Sequence, residues 1–221
     1  MKHQLRNVWM LIFLSMTLAA CQGQQNAENE TNTEEETANQ EQVDAVAMER
    51  GKEIASASQK ALASNLKRAI KQGGIAAAFK FCNVEAMPLT DSLSEVYEAN
   101  VKRASLWVRN PKDEANEVER EILEAYHEQM QASNMPKPRV INLDEDYVLY
   151  TQPIAIKNGL CLNCHGEVGK QVQQETYQLI KERYPDDQAT GHKMGDLRGI
   201  WSIRFEKSSL TKDEVIGMLS N

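Results

Sequence analysis

Two cysteines and a histidine stand close together in the run Cys161-Leu162-Asn163-Cys164-His165. The spacing C-x-x-C-H is typical of c-type haem attachment, in which two thiols form thioethers with the vinyl groups on one edge of the porphyrin. The residue after the second cysteine then turns its imidazole under the iron. We therefore expect Cys161 and Cys164 to hold one covalent haem c and His165 to be the proximal iron ligand.

A Cys-x-x-Cys pair also has other uses. It can be a dithiol redox pair, half of a zinc site or, in an oxidising compartment, a plain disulfide. A zinc site needs further Cys or His ligands, and the domain that follows residue 42 offers only Cys82, His127 and His192, which are scattered. A thioredoxin-like site needs a βαβ context, which the sequence does not show. Haem attachment is the favoured interpretation, and the alternatives stay open.

The first 20 residues predict an export signal. A basic start is followed by an apolar run shorter than the ~20 residues that a bilayer span requires. The segment Leu18-Ala19-Ala20-Cys21 resembles a bacterial lipobox, which implies cleavage before Cys21 and acylation of its thiol. An ordinary export signal with an incidental cysteine is the alternative. Gln22 after the cysteine favours outer-membrane sorting in a Gram-negative host, so we expect a lipid-anchored protein on the periplasmic side.

The composition changes abruptly after the predicted lipidated cysteine. Residues 22–42 contain no aromatic, no β-branched aliphatic and no basic residue, which predicts a flexible acidic tether over 21–42. Seven acids and no base lie between residues 22 and 45, so the tether carries most of the formal net charge of −7. The remainder, 43–221, has the size of one domain and is nearly neutral, without the basic stripe that nucleic-acid binding requires.

The number of cysteines draws attention to a fourth thiol. The chain has four cysteines, of which Cys21 is assigned to lipid and Cys161 and Cys164 to haem. Cys82 is left without a disulfide partner, and an odd cysteine in an exported protein suggests a reactive or ligating thiol. From its position alone, a buried core thiol is an equally good interpretation.

The hydrophobic pattern predicts an α+β fold, with helices first and then strands and helices mixed around hairpin-like turns. A long helix begins at Val43 and ends at Gly73-Gly74, and a shorter helix, from Ile75 to Ala86 before Pro88, carries Cys82. The remaining predicted elements are a strand over 101–109, a helix over 116–130, strands over 139–142 and 147–154, a helix over 168–184, a strand over 195–205 and a last helix from Ser208 or Ser209 to Met218.

Several of these segments together resemble a family of PAS-like c-type haem domains, long described as a domain of unknown function and found in cyanobacterial haem proteins and bacterial sensors. The resemblance covers about residues 45–207 and implies a PAS-like domain with a long N-terminal helix, a small antiparallel sheet and flanking helices. The loop after Pro111 departs from the family's Asn-Pro-x-Asn-x-Pro pattern. The matching pieces are Phe81-Cys82, Val108-Arg109-Asn110-Pro111, Cys161 to Gly166, Tyr184 to Gly191 and Gly195 to Arg204.

The resemblance also implies an unusual pair of axial iron ligands, His165 and Cys82. The rivals for the second position are His127, which stands beside Glu128 on a charged helix, and His192, to which no role is assigned. A methionine is a further alternative, but no position stands out. An axial thiolate would lower the reduction potential of the iron, whereas a methionine would raise it.

A haem with two protein ligands has no open position for a substrate, so we expect no enzyme. The favoured function is one-electron transfer in the periplasm with an unknown redox protein. The alternative is a sensor of redox state or of a diatomic gas that signals through a separate partner. A peroxidase that displaces a ligand is a third interpretation.

Overall fold

The computed structural model of the chain describes residues 20–84 and 86–211, and it describes side chains from residue 37 onward apart from 83–87. Residues 1–19 of the predicted signal peptide over 1–20 and most of the predicted last helix lie outside the described residues, as does the side chain of Cys21. The chain divides into two units, Met1–Gln42 and Val43–Asn221.

The described part of the first unit is helical. Helix α1 spans Ala20–Val84, with non-helical backbone at Gly73 and Gly74. Residues 21–42 are therefore helical, which differs from the flexible tether that their composition predicts. Many of these residues are Glu, Gln and Ala, which are good helix formers, and adding residues to an existing helix does not repeat the cost of nucleation.

The second unit is built around a four-stranded antiparallel sheet in the order β1-β4-β3-β2. Alternate residues of each strand face opposite sides, and helices cover both sides. Trp201, Ile203 and Phe205 of the central strand lie in one hydrophobic cluster with Val46 and Ile54 of α1. The strands are β1 (Asn100–Ala104), β2 (Arg139–Asn142), β3 (Tyr147–Ala155) and β4 (Leu197–Glu206).

Helix α3 (Glu117–Gln131) packs on the other face of the sheet, where Leu123 and Tyr126 share a cluster with Ile200 of β4. The helix begins with a capping box: the Asn116 side chain accepts the Glu119 N–H, and the Glu119 carboxylate accepts the Asn116 N–H. This reciprocal pairing satisfies two backbone donors that the first turn leaves open, and it fixes where α3 starts on the sheet.

Two short helices were not predicted. Helix α2 (Ala86–Tyr97) holds Pro88 in its first turn, where a proline needs no hydrogen bond and is tolerated. The preceding helix, which was predicted to end before Pro88, ends at Val84. Helix α4 (Gly159–His165) contains the C-x-x-C-H run. The remaining elements are a 3-10 turn, Pro111–Asp113, and the helices α5 (Gln174–Arg183) and α6 (Lys207–Leu210).

Helix α5 is shorter than the predicted 168–184. Residues 167–172 instead form a tight loop in which the Glu167 carbonyl accepts backbone N–H groups from Lys170, Gln171 and Val172. Gly169, at φ +82°, adopts a conformation that favours glycine. The predicted α+β fold with a long N-terminal helix, a small antiparallel sheet and flanking helices is confirmed. Among the described helices, none is long and apolar enough to cross a membrane.

Gly51 sets the close approach of α1 to the sheet. A Cβ atom at Gly51 would lie 2.2 Å from Cγ of Tyr150 in β3, closer than any real contact. We expect Gly51→Val to lower the free energy of unfolding by about 2 kcal/mol or more because the helix must move off the ring. Gly159→Val is the matched control, since a Cβ there meets nothing within 4 Å. Equal loss in both variants, measured by urea denaturation, would contradict this account.

Candidate functional site

One cavity in the 43–221 unit brings together the four residues that the sequence assigned to haem. Cys82, Cys161, Cys164 and His165 all line one cavity of about 120 Å³ that is partly open to solvent. Its apolar wall comes from α1 and includes Leu66, Ile70, Ile75, Ala78 and Phe79.

Helix α4 presents both thiols of the C-x-x-C-H run. The Asn158 side chain caps its start by accepting the Leu160 N–H at 3.0 Å, and the same oxygen lies 3.7 Å from Sγ of Cys161. Residues three apart lie on neighbouring positions of a helix face, so Cys161 and Cys164 point to the same side. Both are free thiols, and burial raises the pKa of Cys164 to about 11.

The ring of His165 is held in one orientation. Its Nδ1 lies 2.8 Å from the Ala189 carbonyl oxygen, so Nδ1 carries the proton and donates, which leaves Nε2 to take a metal. A backbone carbonyl on the second ring nitrogen is the usual support for a metal-binding histidine. Burial lowers the pKa of His165 well below its ordinary value, and Arg198 and Arg109 act in the same direction. The imidazole is therefore neutral, as a ligand must be.

Backbone contacts fix the residues on either side of this ring. The His192 N–H donates to the His165 carbonyl and the Gly191 N–H to the Gly166 carbonyl, both at 2.8 Å. A Cβ atom at Gly166 would lie 2.7 Å from the Leu162 carbonyl oxygen. Glycine is therefore required directly after the histidine, because the chain turns back against α4 at that point.

Cys82 reaches the cavity from the last part of α1. The helix is broken at Gly73 and Gly74, where Gly74 has φ +68°, and it resumes in a direction that brings Ala78 and Cys82 to the cavity wall. Cys82 is exposed along this wall rather than packed in one of the hydrophobic clusters. Partial enclosure raises the pKa of its thiol, and the guanidinium groups of Arg103 and Arg109 oppose that rise.

Neither of the rival histidines lines the cavity. His192 is buried, with its Nδ1 3.9 Å from the Asp196 carboxylate. Burial lowers the pKa of His192 to about 4. His127 is half-buried on α3, with its ring against Trp107. Among the side chains that the structure describes, no three or more His, Cys, Asp or Glu converge as ligands of a metal ion.

The comparisons with known proteins agree with the resemblance seen in the sequence. A protein-family model described as Tll0287-like matches residues 22–206, well over half of the chain. The chain belongs to the Tll0287-like family. The crystal structure of the cyanobacterial heme protein Tll0287 is similar to it, with 22% sequence identity, a TM-score of 0.45 and coverage of 54% of this chain and 70% of that one. No curated protein matches.

One arginine connects the segments that form this site. Arg109 donates from Nη2 to the Cys164 carbonyl at 2.7 Å and from Nε to the Asp187 carboxylate at 2.6 Å. The side chains of Arg109 and Asp187 are only 11% and 0% exposed. The loop after β1, the end of α4 and the loop after α5 are thus held together by one buried ion pair.

Two further arginines make the cavity positive. Arg198 donates from Nη1 to the Ser105 hydroxyl and the Trp107 carbonyl, and burial lowers its pKa to about 10 with Arg109 acting in the same direction. Arg103 lies 3.5 Å from the Asp113 carboxylate, but its Nε is buried without a hydrogen-bond partner. Arg109 is already paired with Asp187. The guanidinium groups of Arg103 and Arg198 therefore have only the Asp113 carboxylate to balance them among the residues that line the cavity. This wall suits an anionic ligand.

Sequence reasoning assigned no role to Arg103, Arg109, Asp187, Arg198 or Trp107. Three of them, Arg109, Asp187 and Arg198, lie in the segments on which the family resemblance was based. The resemblance could therefore have drawn attention to these three residues. Their roles depend on contacts between residues that are far apart along the chain, and no local pattern reports such contacts.

We expect Asp187→Ala to lower the free energy of unfolding by about 3 kcal/mol, because it leaves the Arg109 charge buried without its carboxylate. The matched control is Glu167→Ala, which breaks the exposed Lys170–Glu167 pair and should cost less than about 1 kcal/mol. Urea denaturation of the full chain measures both. A loss for Asp187→Ala no larger than for the control would show that this ion pair does not hold the site together.

Proposed function

We propose that this chain is a monohaem c-type cytochrome that transfers single electrons. The observation that carries the proposal is the meeting of Cys82, Cys161, Cys164 and His165 around one cavity. Membership of a family related to the heme protein Tll0287 supports a haem cofactor. The spacing of the two thiols and the histidine supports covalent attachment as haem c.

The residues present fit a haem. Cys161 and Cys164 supply the two thiols for thioether bonds, and His165 supplies Nε2 for the iron because Ala189 engages its other nitrogen. Cys82, which lines the same cavity, would supply a second ligand to the iron. The apolar side chains of α1 suit the porphyrin plane. The partnerless Nε of Arg103 and the nearby Arg198 suit the two propionate carboxylates.

The residues of the chain adjust the chemistry that a bound haem supplies, which is a reversible one-electron change at the iron. Cys82 would have to lose its proton to bind as thiolate. Burial raises the pKa of its thiol and Arg103 and Arg109 oppose only part of that rise, so the iron itself would have to promote the loss. A thiolate ligand lowers the reduction potential. With His165 and Cys82 both engaged, no open position is left for a substrate, so we propose a carrier rather than an enzyme.

We propose the location on sequence grounds. Cys21 and the small residues before it support a lipid anchor on the periplasmic side of the membrane, and Gln22 favours the outer membrane. The partner would be another one-electron redox protein. The near-neutral 43–221 unit gives no support for nucleic-acid binding.

Covalent attachment predicts a simple result. The full chain should retain haem on a denaturing gel stained for haem, and the double variant Cys161→Ala/Cys164→Ala should lose it completely, because no thioether can form. Cys82→Ser is the matched control and should keep the stain, since its thiol is a ligand rather than an attachment point. Stain retained in the double variant would refute haem c attachment at this motif.

The same control variant tests the second axial ligand. Ferric protein should give the low-spin EPR spectrum of a thiolate-bound haem, and Cys82→Ser should abolish it and raise the reduction potential, because sulfur donation is removed. His127→Gln should leave both unchanged, since His127 does not line the cavity. An unchanged spectrum in Cys82→Ser would rule out Cys82 as a ligand.

A second candidate function, a sensor of redox state or of a diatomic gas, is favoured by the break at Gly73 and Gly74. The short helical stretch that carries Cys82 follows this break, so Cys82 can leave the cavity without moving the residues before Gly73. Carbon monoxide separates the two functions. A carrier should be reduced rapidly by a one-electron donor without binding CO, whereas rapid CO binding to the ferrous protein would favour the sensor.

A further inference from the structure

A row of four aromatic rings runs from the candidate iron ligand to the surface of α3. The ring centroids of His165 and His192 are 6.3 Å apart, those of His192 and Trp107 are 5.3 Å apart, and those of Trp107 and His127 are 5.1 Å apart. All three pairs meet edge to face, within the 4.5–7 Å range of direct aromatic contact. No ring in the row is separated from the next by a gap.

The middle of the row is enclosed and its far end is accessible. His192 is only 7% exposed, whereas Trp107 and His127 are half-buried. The His192 N–H also donates to the His165 carbonyl, which adds a hydrogen-bonded link. Because His192, Trp107 and His127 do not line the cavity, holding the cofactor does not account for their alignment.

We propose that His192, Trp107 and His127 form the path by which an electron passes between the iron at His165 and a redox partner at α3. This inference rests on the proposed electron-transfer function. Electron tunnelling weakens steeply across empty space and much less across atoms in contact, so a continuous row of rings favours this direction. In the step, ferrous iron becomes ferric, the partner gains the one electron, and no ring changes its charge or protonation.

The charge around the end of the path indicates the kind of partner. The exposed charged side chains of α3 are Glu117, Arg120, Glu121, Glu124 and Glu128, four acids and one base. Glu124 and Glu128 flank His127 in sequence. Complementary charge speeds the encounter of two proteins and fixes their orientation, so the path fits a redox protein that presents a basic surface.

The path can be tested with a ruthenium bipyridine label on His127, in the full haem-loaded chain carrying His3→Gln. His165 is engaged and His192 is buried, so the label is directed to one ring. A light pulse makes the ruthenium donate one electron to ferric iron. We expect Trp107→Leu to slow this transfer about tenfold or more because both ring contacts are lost, and Trp107→Phe to stay within about threefold because a ring is kept.

Tyr97→Leu is the matched control, since Tyr97 packs against the other hydrophobic cluster and should leave the rate unchanged. Trp107→Met, which fills irregular space, serves if the leucine variant does not fold. The haem absorption spectrum and potential should be unchanged, while the NMR ring-current shift of the His127 protons should disappear without the indole. Equal rates in the control and in Trp107→Leu would overturn the path but not the carrier function. Iron that no one-electron donor reduces would overturn the carrier function itself.

The proposed partner surface on α3 is tested separately, by measuring the binding of a basic redox protein. A basic mitochondrial-type cytochrome c is a suitable probe, and its dissociation constant is measured by NMR titration at low ionic strength. We expect Glu124→Lys/Glu128→Lys to weaken binding about tenfold or more, because like charges then face each other. Glu49→Lys/Glu53→Lys changes the net charge equally on exposed positions of α1 and should weaken it much less. Equal weakening by both pairs would overturn α3 as the partner surface.

Discussion

The candidate site depends on the buried ion pair between the Arg109 guanidinium and the Asp187 carboxylate. Arg109 joins the loop after β1 to the last turn of α4 through the Cys164 carbonyl and to the loop after α5 through Asp187. The side chains of Arg109 and Asp187 are only 11% and 0% exposed. Loss of the Asp187 carboxylate would therefore leave the charge of Arg109 buried and uncompensated. One residue outside the C-x-x-C-H run therefore joins α4 to two loops that are distant in sequence.

The sheet explains why these segments meet. In the antiparallel register, Ala104 at the end of β1 and Ile154 near the end of β3 lie beside Ile200 and Gly199 near the start of β4. The chain leaves β1 toward Trp107 and Arg109, leaves β3 toward α4, and enters β4 through Arg198. The same end of these strands thus carries Arg109, Arg198 and the helix with Cys161 and Cys164. Helices α1 and α3 cover the faces of the sheet and supply Cys82 and His127.

Features that depend on residues close together in the sequence could be predicted, whereas contacts between residues far apart in the sequence could not. The motif Cys161 to His165 and strand β2 follow from spacing within a few residues, and Cys82 was singled out by the number of cysteines. Helix α2 was missed because Pro88 was interpreted as helping to end the preceding helix, whereas it also stands in the first turn of the next one. The pairing of Arg109 with Asp187 and the contact of His192 with Trp107 join residues some 80 positions apart, where no periodicity can report them.

The place of β4 in the sheet has a consequence for how the chain acquires its shape. This strand is the last of the four to be synthesised, yet it lies between β1 and β3 and pairs with both. Until it is available, β1 has no neighbour and the apolar face of α1 has little to cover it. The domain is thus built from contacts of large sequence separation, which form slowly.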